Sequence, residues 1–205
     1  MECVFMYKNI IKRILDFITA LLLMPFLLII MLIIGLIIKI EDRGPIFYSA
    51  NRLGKNGINY KMYKFRTMKI NAPDIRNEDG STFNAENDFR LLKSGKLIRK
   101  MSIDELPQLL NVFKGDMSII GPRPDLPETI KMYNEYQKKK IEVRPGITGY
   151  TQAYYRNSIL QEEKFNLDSK YAQNVCFSDD IAILIKTFKT VVFKENIYKG
   201  DTYGK

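Results

Sequence analysis

At 205 residues the chain is the size of one ordinary domain, and its 32 Lys+Arg against 23 Asp+Glu give a net charge of +9 beside 46% hydrophobic residues. Histidine is absent, which excludes Ser-His and Cys-His nucleophile pairs, imidazole bases and His-built zinc sites. Chemistry is left to carboxylates, Lys, Arg, Tyr or metal-bound water. The two cysteines, Cys3 and Cys176, lie far apart without CxxC spacing; they give no disulfide framework and no structural zinc, and they fit a reducing compartment.

Phe17 to Ile38 runs for 22 residues without a charge, long enough to cross a bilayer. A signal peptide has a shorter apolar core and a small-residue cleavage site, whereas this run continues into Lys39-Ile40-Glu41-Asp42-Arg43. The segment reads as a retained anchor. Lys8, Lys12 and Arg13 precede it and Lys39 and Arg43 follow it, so under the positive-inside bias both ends favour the cytoplasm. Pro25 lacks an N–H and crowds the preceding turn, which favours a kink or break. Two readings follow: one spanning helix with a tolerated proline, or a re-entrant hairpin that returns to the leaflet it entered. Asp16 is placed to pair locally with Lys12 and Arg13. The first 45 residues hold five Lys/Arg and four Asp/Glu, so nearly all the positive surplus lies in the remaining body, where nucleic acid, anionic headgroups or phosphorylated small molecules are candidate partners.

After the Gly44-Pro45 turn, Ile46 to Ser49 predicts a short strand, Asn51 to Asn59 with Gly54 and Gly57 a hairpin loop, and Tyr60 to Met68 a second strand alternating bulky and polar residues. Its Lys61, Lys64 and Arg66 form either a solvated face or part of a site. Lys69 to Asn87, rich in Asn, Asp and Glu, predicts a mobile loop without EF-hand spacing.

Gly95 to Pro124 reads GKLIRKMSIDELPQLLNVFKGDMSIIGPRP. Ser102-Ile103-Asp104-Glu105 before Pro107 predicts a helix start, Leu106, Leu109, Leu110 and Phe113 an apolar stripe, and Gly115 a stop. Asp104 and Glu105 thus stand at a helix N-terminus, where they are either capping residues or functional ones. Lys96, Arg99 and Lys100 upstream and Arg123 downstream suit a phosphate ligand. One carboxylate can then bind Mg²⁺ and the other attack phosphorus, ionised at the positive end of the helix without a histidine.

These residues resemble the bacterial sugar transferases, in particular the small monotopic polyprenyl-phosphate phosphoglycosyl transferases. The resemblance rests on Lys12-Arg13-Ile14-Leu15-Asp16, Tyr63 to Met68, Leu97 to Gln108, Asn111 to Pro124, Arg144 to Gly149, and the Asp168 to Tyr171 pair. It implies that Asp104 is a nucleophile attacking the β-phosphate of a UDP-sugar with release of UMP, and that Glu105 is a Mg²⁺ ligand. A polyprenyl phosphate then takes the phosphosugar in a ping-pong scheme. Arg99 and Arg123 match positions near the phosphates; Lys64, Arg66, Arg156 and Asp168 lie in matching motifs. The implied fold is α+β and mainly helical: a membrane-embedded re-entrant helix-break-helix over residues 1–43, then a cytosolic catalytic domain over 44–205 with a short β-hairpin, interfacial helices and a mobile loop at 69–94. Its implied place is the cytoplasmic face of a bacterial inner membrane, with nucleic acid excluded as partner and pairing as a homodimer open.

Two features depart from the family pattern. Tyr150 stands where relatives often carry tryptophan after Ile-Thr-Gly, and Tyr154-Tyr155 precede Arg156-Asn157 in place of Asn-Gly; both bear on sugar preference. Near the C-terminus, Ser178-Asp179-Asp180 predicts a helix start, and Ile181, Ile185, Phe188 and Val192 a stripe that packs in the core or lies at the headgroups among Lys186, Lys189 and Lys194. Lys199 to Lys205 carries no motif. The alternative in another class is a non-catalytic, membrane-anchored basic adaptor for anionic lipid or nucleic acid.

Overall fold

The computed structural model describes residues 6–75, 83, 85, 87–156 and 158–193. Cys3, Asn157, Lys194, the tail from Lys199 and much of the acidic loop after Asp74 lie outside these residues. A π-helical turn, Tyr7–Ile11, leads into helix α1, Lys12–Glu41, which carries Pro25 in its interior. The expected break at Pro25 is therefore not an interruption of the helix. Proline removes a single donor, and the Leu, Ile and Met residues on both sides are helix formers that keep their own bonds.

Strands β1, Phe47–Leu53, and β2, Asn59–Phe65, form the predicted antiparallel hairpin, with Phe47 opposite Phe65 and Leu53 opposite Asn59. The segment expected to be loop up to residue 94 is ordered earlier: Met68 bridges Leu91, the buried Asp88 pairs with Arg90 at 2.6 Å, and helix α2, Lys93–Lys100, begins directly after. A 3₁₀ turn, Ile103–Gln108, runs into helix α3, Leu109–Lys114, which Gly115 ends in a left-handed conformation as predicted. Strand β3, Ser118–Ile120, pairs in parallel with β4, Gly146–Thr148. Helices α4, Tyr150–Tyr154, α5, Gln161–Gln173, and α6, Phe177–Val192, complete the described chain.

The apolar helix lies along the body rather than away from it. Ala20 and Leu27 pack with Met62, Leu109, Val112 and Met117, and Ile38 with Phe65, Leu92 and Ile98. Polar ties hold both ends to the same body. Lys12 pairs with Asp180 at 2.5 Å and Arg13 donates to the Val112 carbonyl at 2.7 Å, while at the far end Glu41 accepts the Ser94 N–H at 3.0 Å. Asp16 feels the Lys12 and Arg13 charges as expected, and its side chain also turns inward to accept the Ile119 N–H at 2.9 Å.

The opposite face of α1 is bare, with Leu22, Phe26, Leu32 and Ile40 each more than 60% exposed. The α6 stripe behaves alike: Ile181, Ile185, Phe188 and Val192 face outward, while Asp180, Ile183 and Thr190 face the core. Core packing is thus not the reason for that stripe.

The β3–β4 pair is held at unusually close range. A side-chain carbon added at Gly149 would overlap the Gly121 carbonyl and lie 2.8 Å from Gln152 Oε1. Gly149→Ala must push this backbone apart, and we expect a loss of roughly 3 kcal/mol or more, read as a fall in the melting temperature of the detergent-solubilised protein.

Candidate functional site

The 3₁₀ turn places Asp104 and Glu105 side by side at the head of the α3 segment. Ser102, expected to cap through its hydroxyl, makes no side-chain cap; it has φ 56°, and its Oγ accepts from Arg156 Nη2 at 3.2 Å. Arg156 also has positive φ, 48°. Asn56 and Asn71, the other such non-glycine residues among those described, are of a type that tolerates this region, so the two residues that do not favour it are the two joined by this hydrogen bond.

Strand β2 brings Lys64 to the carboxylates, with Nζ 2.6 Å from Glu105 Oε1 and 3.8 Å from Asp104 Oδ2. Asn111 fixes that approach. Fully buried on α3, it accepts the Tyr63 N–H at 3.0 Å and donates to the Lys61 carbonyl at 2.7 Å, clamping the strand on either side of Met62. Arg99, from α2, donates to Thr67 Oγ1 at 2.9 Å and acts on the Asp104 charge. Arg123 and Arg156 act on Glu105. Six of the predicted cationic and acidic positions, Lys64, Arg99, Asp104, Glu105, Arg123 and Arg156, therefore converge on one place.

Electrostatics separates the two carboxylates. Burial pushes the Asp104 carboxyl above the ordinary range, Lys64 pulls against it, and the neighbouring Glu105 charge adds to the upward push. At Glu105 burial also disfavours the charge, but Lys64, Arg123 and Arg156 outweigh it and hold the group below the ordinary range. Burial thus opposes the ionised form expected of the attacking carboxylate at Asp104, and a six-residue 3₁₀ turn offers little dipole against it. The result is a firmly anionic group beside a more basic one.

Arg66 and Asp168 sit elsewhere. Arg66 is buried and spends its guanidinium on the Pro45 carbonyl, the Asp42 carboxylate at 2.5 Å and the Asp42 carbonyl at 2.7 Å, locking the exit of α1 to the hairpin. Asp168 is buried in α5, accepting Thr151 Oγ1 at 2.9 Å, Lys140 Nζ at 3.2 Å and the Arg123 N–H at 3.2 Å. It reaches the site only through the Arg123 backbone. Lys140 and Asp125, paired at 2.5 Å, complete that network. At the other end Asp180 accepts hydroxyls from Tyr7 and Tyr171, each at 2.6 Å, besides Lys12. Sequence reading missed Asn111, Asp125, Lys140 and this role of Asp180; the only signal was polar residues interrupting apolar patterns.

Among the described residues no group of three His, Cys, Asp or Glu side chains could hold a metal. Asp104 and Glu105 are the acidic donors of the site, enough for a cation that completes its shell with ligand phosphates and water. In the free protein Lys64 supplies the positive charge at Glu105. Next to Arg156, Tyr150 lies 4.8 Å from Tyr154 and 6.2 Å from Tyr155 between ring centroids, so the departures from the family pattern gather in one aromatic cluster.

Comparison with known proteins places the chain in a family. The family described as bacterial sugar transferase matches residues 7–194. An uncharacterized sugar transferase of Bacillus subtilis (strain 168), EpsL, is 42% identical over 192 residues, covering 94% of this chain and 92% of that protein. The UDP-N-acetylgalactosamine-undecaprenyl-phosphate N-acetylgalactosaminephosphotransferase of Aeromonas hydrophila is 36% identical over 189 residues, covering 89% of this chain and 44% of its own length. The undecaprenyl-phosphate galactose phosphotransferase of Salmonella typhimurium (strain LT2) is 37% identical over 169 residues, 77% of this chain and 36% of its own. The chain thus spans nearly all of the first and less than half of the other two. It belongs to the bacterial sugar transferase family.

Proposed function

We propose that the protein transfers a phosphosugar from a UDP-sugar to a polyprenyl phosphate such as undecaprenyl phosphate, giving a polyprenyl diphosphate sugar and UMP, as an early membrane step of glycan assembly. The observation that carries this reading is the Asp104–Glu105 pair held among Lys64, Arg99, Arg123 and Arg156. Four cations suit a diphosphate, and a carboxylate left among them is matched to work on phosphorus. The two phosphotransferase relatives support the substrate classes through their names.

In the proposed first half-reaction an Asp104 carboxylate oxygen bonds to the β-phosphorus while the bond from that phosphorus to the bridging oxygen breaks, and UMP leaves with that oxygen. In the second, a phosphate oxygen of the polyprenyl carrier attacks the same phosphorus and the aspartyl oxygen departs, restoring Asp104. The raised basicity of Asp104 strengthens it as nucleophile, and the arginines oppose the charge that builds on the phosphoryl oxygens. Glu105, with Asp104 beside it, would hold Mg²⁺, which when bound neutralises phosphate charge and polarises phosphorus. Lys64, 2.6 Å from Glu105, is placed to face the substrate phosphates. The Tyr150, Tyr154 and Tyr155 cluster is placed to select the sugar. Purified protein supplied with undecaprenyl phosphate and a series of UDP-sugars should release UMP with at least one; no release from any would end this reading.

We further propose that α1 enters and leaves the membrane on the cytoplasmic face of a bacterial inner membrane. What supports this is that Lys12 and Arg13 at one end and Glu41 at the other bind the same body, while the intervening outer face is apolar. A straight crossing would separate these ties by about 30 Å of hydrocarbon. Single cysteines placed at Asn9 and Asn59 should react with an impermeant thiol reagent from the same side of the membrane; labelling from opposite sides would rule out the re-entrant path.

A further inference from the structure

A second cluster of charge lies away from the catalytic carboxylates. Lys8, Lys12 and Arg13 from the start of the apolar helix, Lys55 from the tip of the β1–β2 hairpin, and Arg144 before β4 line one pocket, with Asp16 in its wall. Among the described residues only Lys12 of these five cations is ion-paired, to Asp180. Asp16 spends an oxygen on the Ile119 N–H. Arg13 and Arg144 donate to the carbonyls of Val112 and Gly115, at 2.7 and 2.8 Å, and Lys8 to that of Ala172 at 2.8 Å. These neutral acceptors orient the cations without cancelling their charge.

Five cations against the two carboxylates Asp16 and Asp180 leave an uncompensated positive pocket drawn from three distant parts of the chain. Its members disturb one another: burial, then the charges of Arg144 and Lys8, push the Lys55 ammonium down, and burial and Arg13 do the same to Arg144. A fold that gathers like charges in a half-buried place has an anion to receive. The pocket is open to solvent on one side, so an anion can approach its cations from outside.

The place is separate from the catalytic pair and adjoins the exposed apolar face of α1. Arg13 binds the C-terminal end of α3 and Asp104 stands at the head of the turn that precedes it, roughly 15 Å apart along the axis from the rise per residue. The helix that supplies Lys8, Lys12 and Arg13 exposes Ile10, Ile11, Ile14 and Ile18 on its outer side. We infer that this pocket is a second anion site, one that takes a phosphate group at the level where lipid headgroups lie, carried by a membrane phospholipid or by a soluble phosphate ligand.

The test is thermal melting of the full detergent-solubilised chain at constant ionic strength, titrated with phosphatidylglycerol, phosphatidylcholine or inorganic phosphate. It does not depend on turnover, so it can fail while the proposed reaction stands, and the reverse. Phosphatidylglycerol should raise the melting temperature of the wild type where phosphatidylcholine does not. Lys8→Met/Lys55→Met should move the midpoint of that titration upward by about 30-fold, taking the usual contribution of each lysine near anionic lipid; Lys8→Arg/Lys55→Arg should keep it within a few-fold. Inorganic phosphate that reproduces the effect, and loses it in the Met variant, identifies a soluble phosphate as sufficient; a response to phosphatidylglycerol alone identifies the lipid. A wild type that responds to neither, or a Met variant that responds as the wild type does, overturns the site.

Discussion

Asp104→Asn should release no measurable UMP, a loss of at least about 10⁴-fold, and should at the same time make the protein more stable. Asparagine keeps the shape of the side chain but cannot form the aspartyl–phosphorus bond, so the first half-reaction has no nucleophile. The stability gain follows from the environment that disfavours the ionised form: burial, and then the Glu105 charge, push the Asp104 carboxyl upward against Lys64. A group whose folded pKa is raised costs stability at neutral pH, and the cost fades as pH falls and the group takes its proton. A neutral isostere removes that cost at once, by about 1 kcal/mol, or a rise of roughly 2–4 °C in melting temperature. Glu105→Gln should move the other way, since it leaves Lys64, Arg123 and Arg156 facing one another without a firm anion. An Asp104→Asn protein that turns over normally sinks the assigned nucleophile; one that is inactive but less stable sinks the electrostatic account and leaves the nucleophile in place.

The same shift sets the pH profile. Asp104 must be ionised to attack, so single-turnover UMP release should fall on the acid side at a pH above the ordinary aspartate range. Lys64 favours the ionised form, and Lys64→Met should therefore move that limb further toward neutral pH. An unmoved limb would mean that another group controls it.

Much of this site was legible because its chemistry is local in sequence. Asp104, Glu105, Pro107 and the apolar positions after them occupy two turns, and the strand pattern that delivers Lys64 is a run of alternating residues. What was hidden depends on partners far away. Asp180 looks like a helix-start residue, but its partner Lys12 is 168 positions distant, and no local pattern shows that an aspartate one turn into a helix will be buried. Arg66 misleads for a simple reason: the pleat places it on the face of Lys64, yet the strand ends at Phe65, so the next residue is free to turn toward Asp42 and Pro45. Pro25 misleads for another. Proline argues for a break in water, whereas a helix with one face packed on Met62, Leu109 and Val112 and the other bare of polar groups gains nothing by exposing its backbone.

Lys140→Met should be strongly destabilising, costing about 3–5 kcal/mol, or on the order of 10 °C in melting temperature. Lys140 Nζ lies 2.5 Å from Asp125 and 3.2 Å from Asp168, all three side chains less than 10% exposed, with the Phe165 ring 5.0 Å beneath it. Methionine fills much of the space but leaves two buried carboxylates with no cation between them. Burial already pushes the Asp168 carboxyl up, and Lys140 is what chiefly opposes it; without the lysine one of the pair should bind a proton near neutral pH. The sign follows from linkage. The folded variant takes up a proton that the unfolded chain does not, so its deficit against the wild type should shrink as pH is lowered from 8 to 5. Adding Asp168→Asn should recover part of the loss, a non-additivity that a double-mutant cycle reads directly. Catalysis should suffer too, because Asp168 holds the Arg123 N–H. A Lys140→Met protein whose deficit stays constant with pH would mean that the cost is one of packing, not of two carboxylates left facing each other.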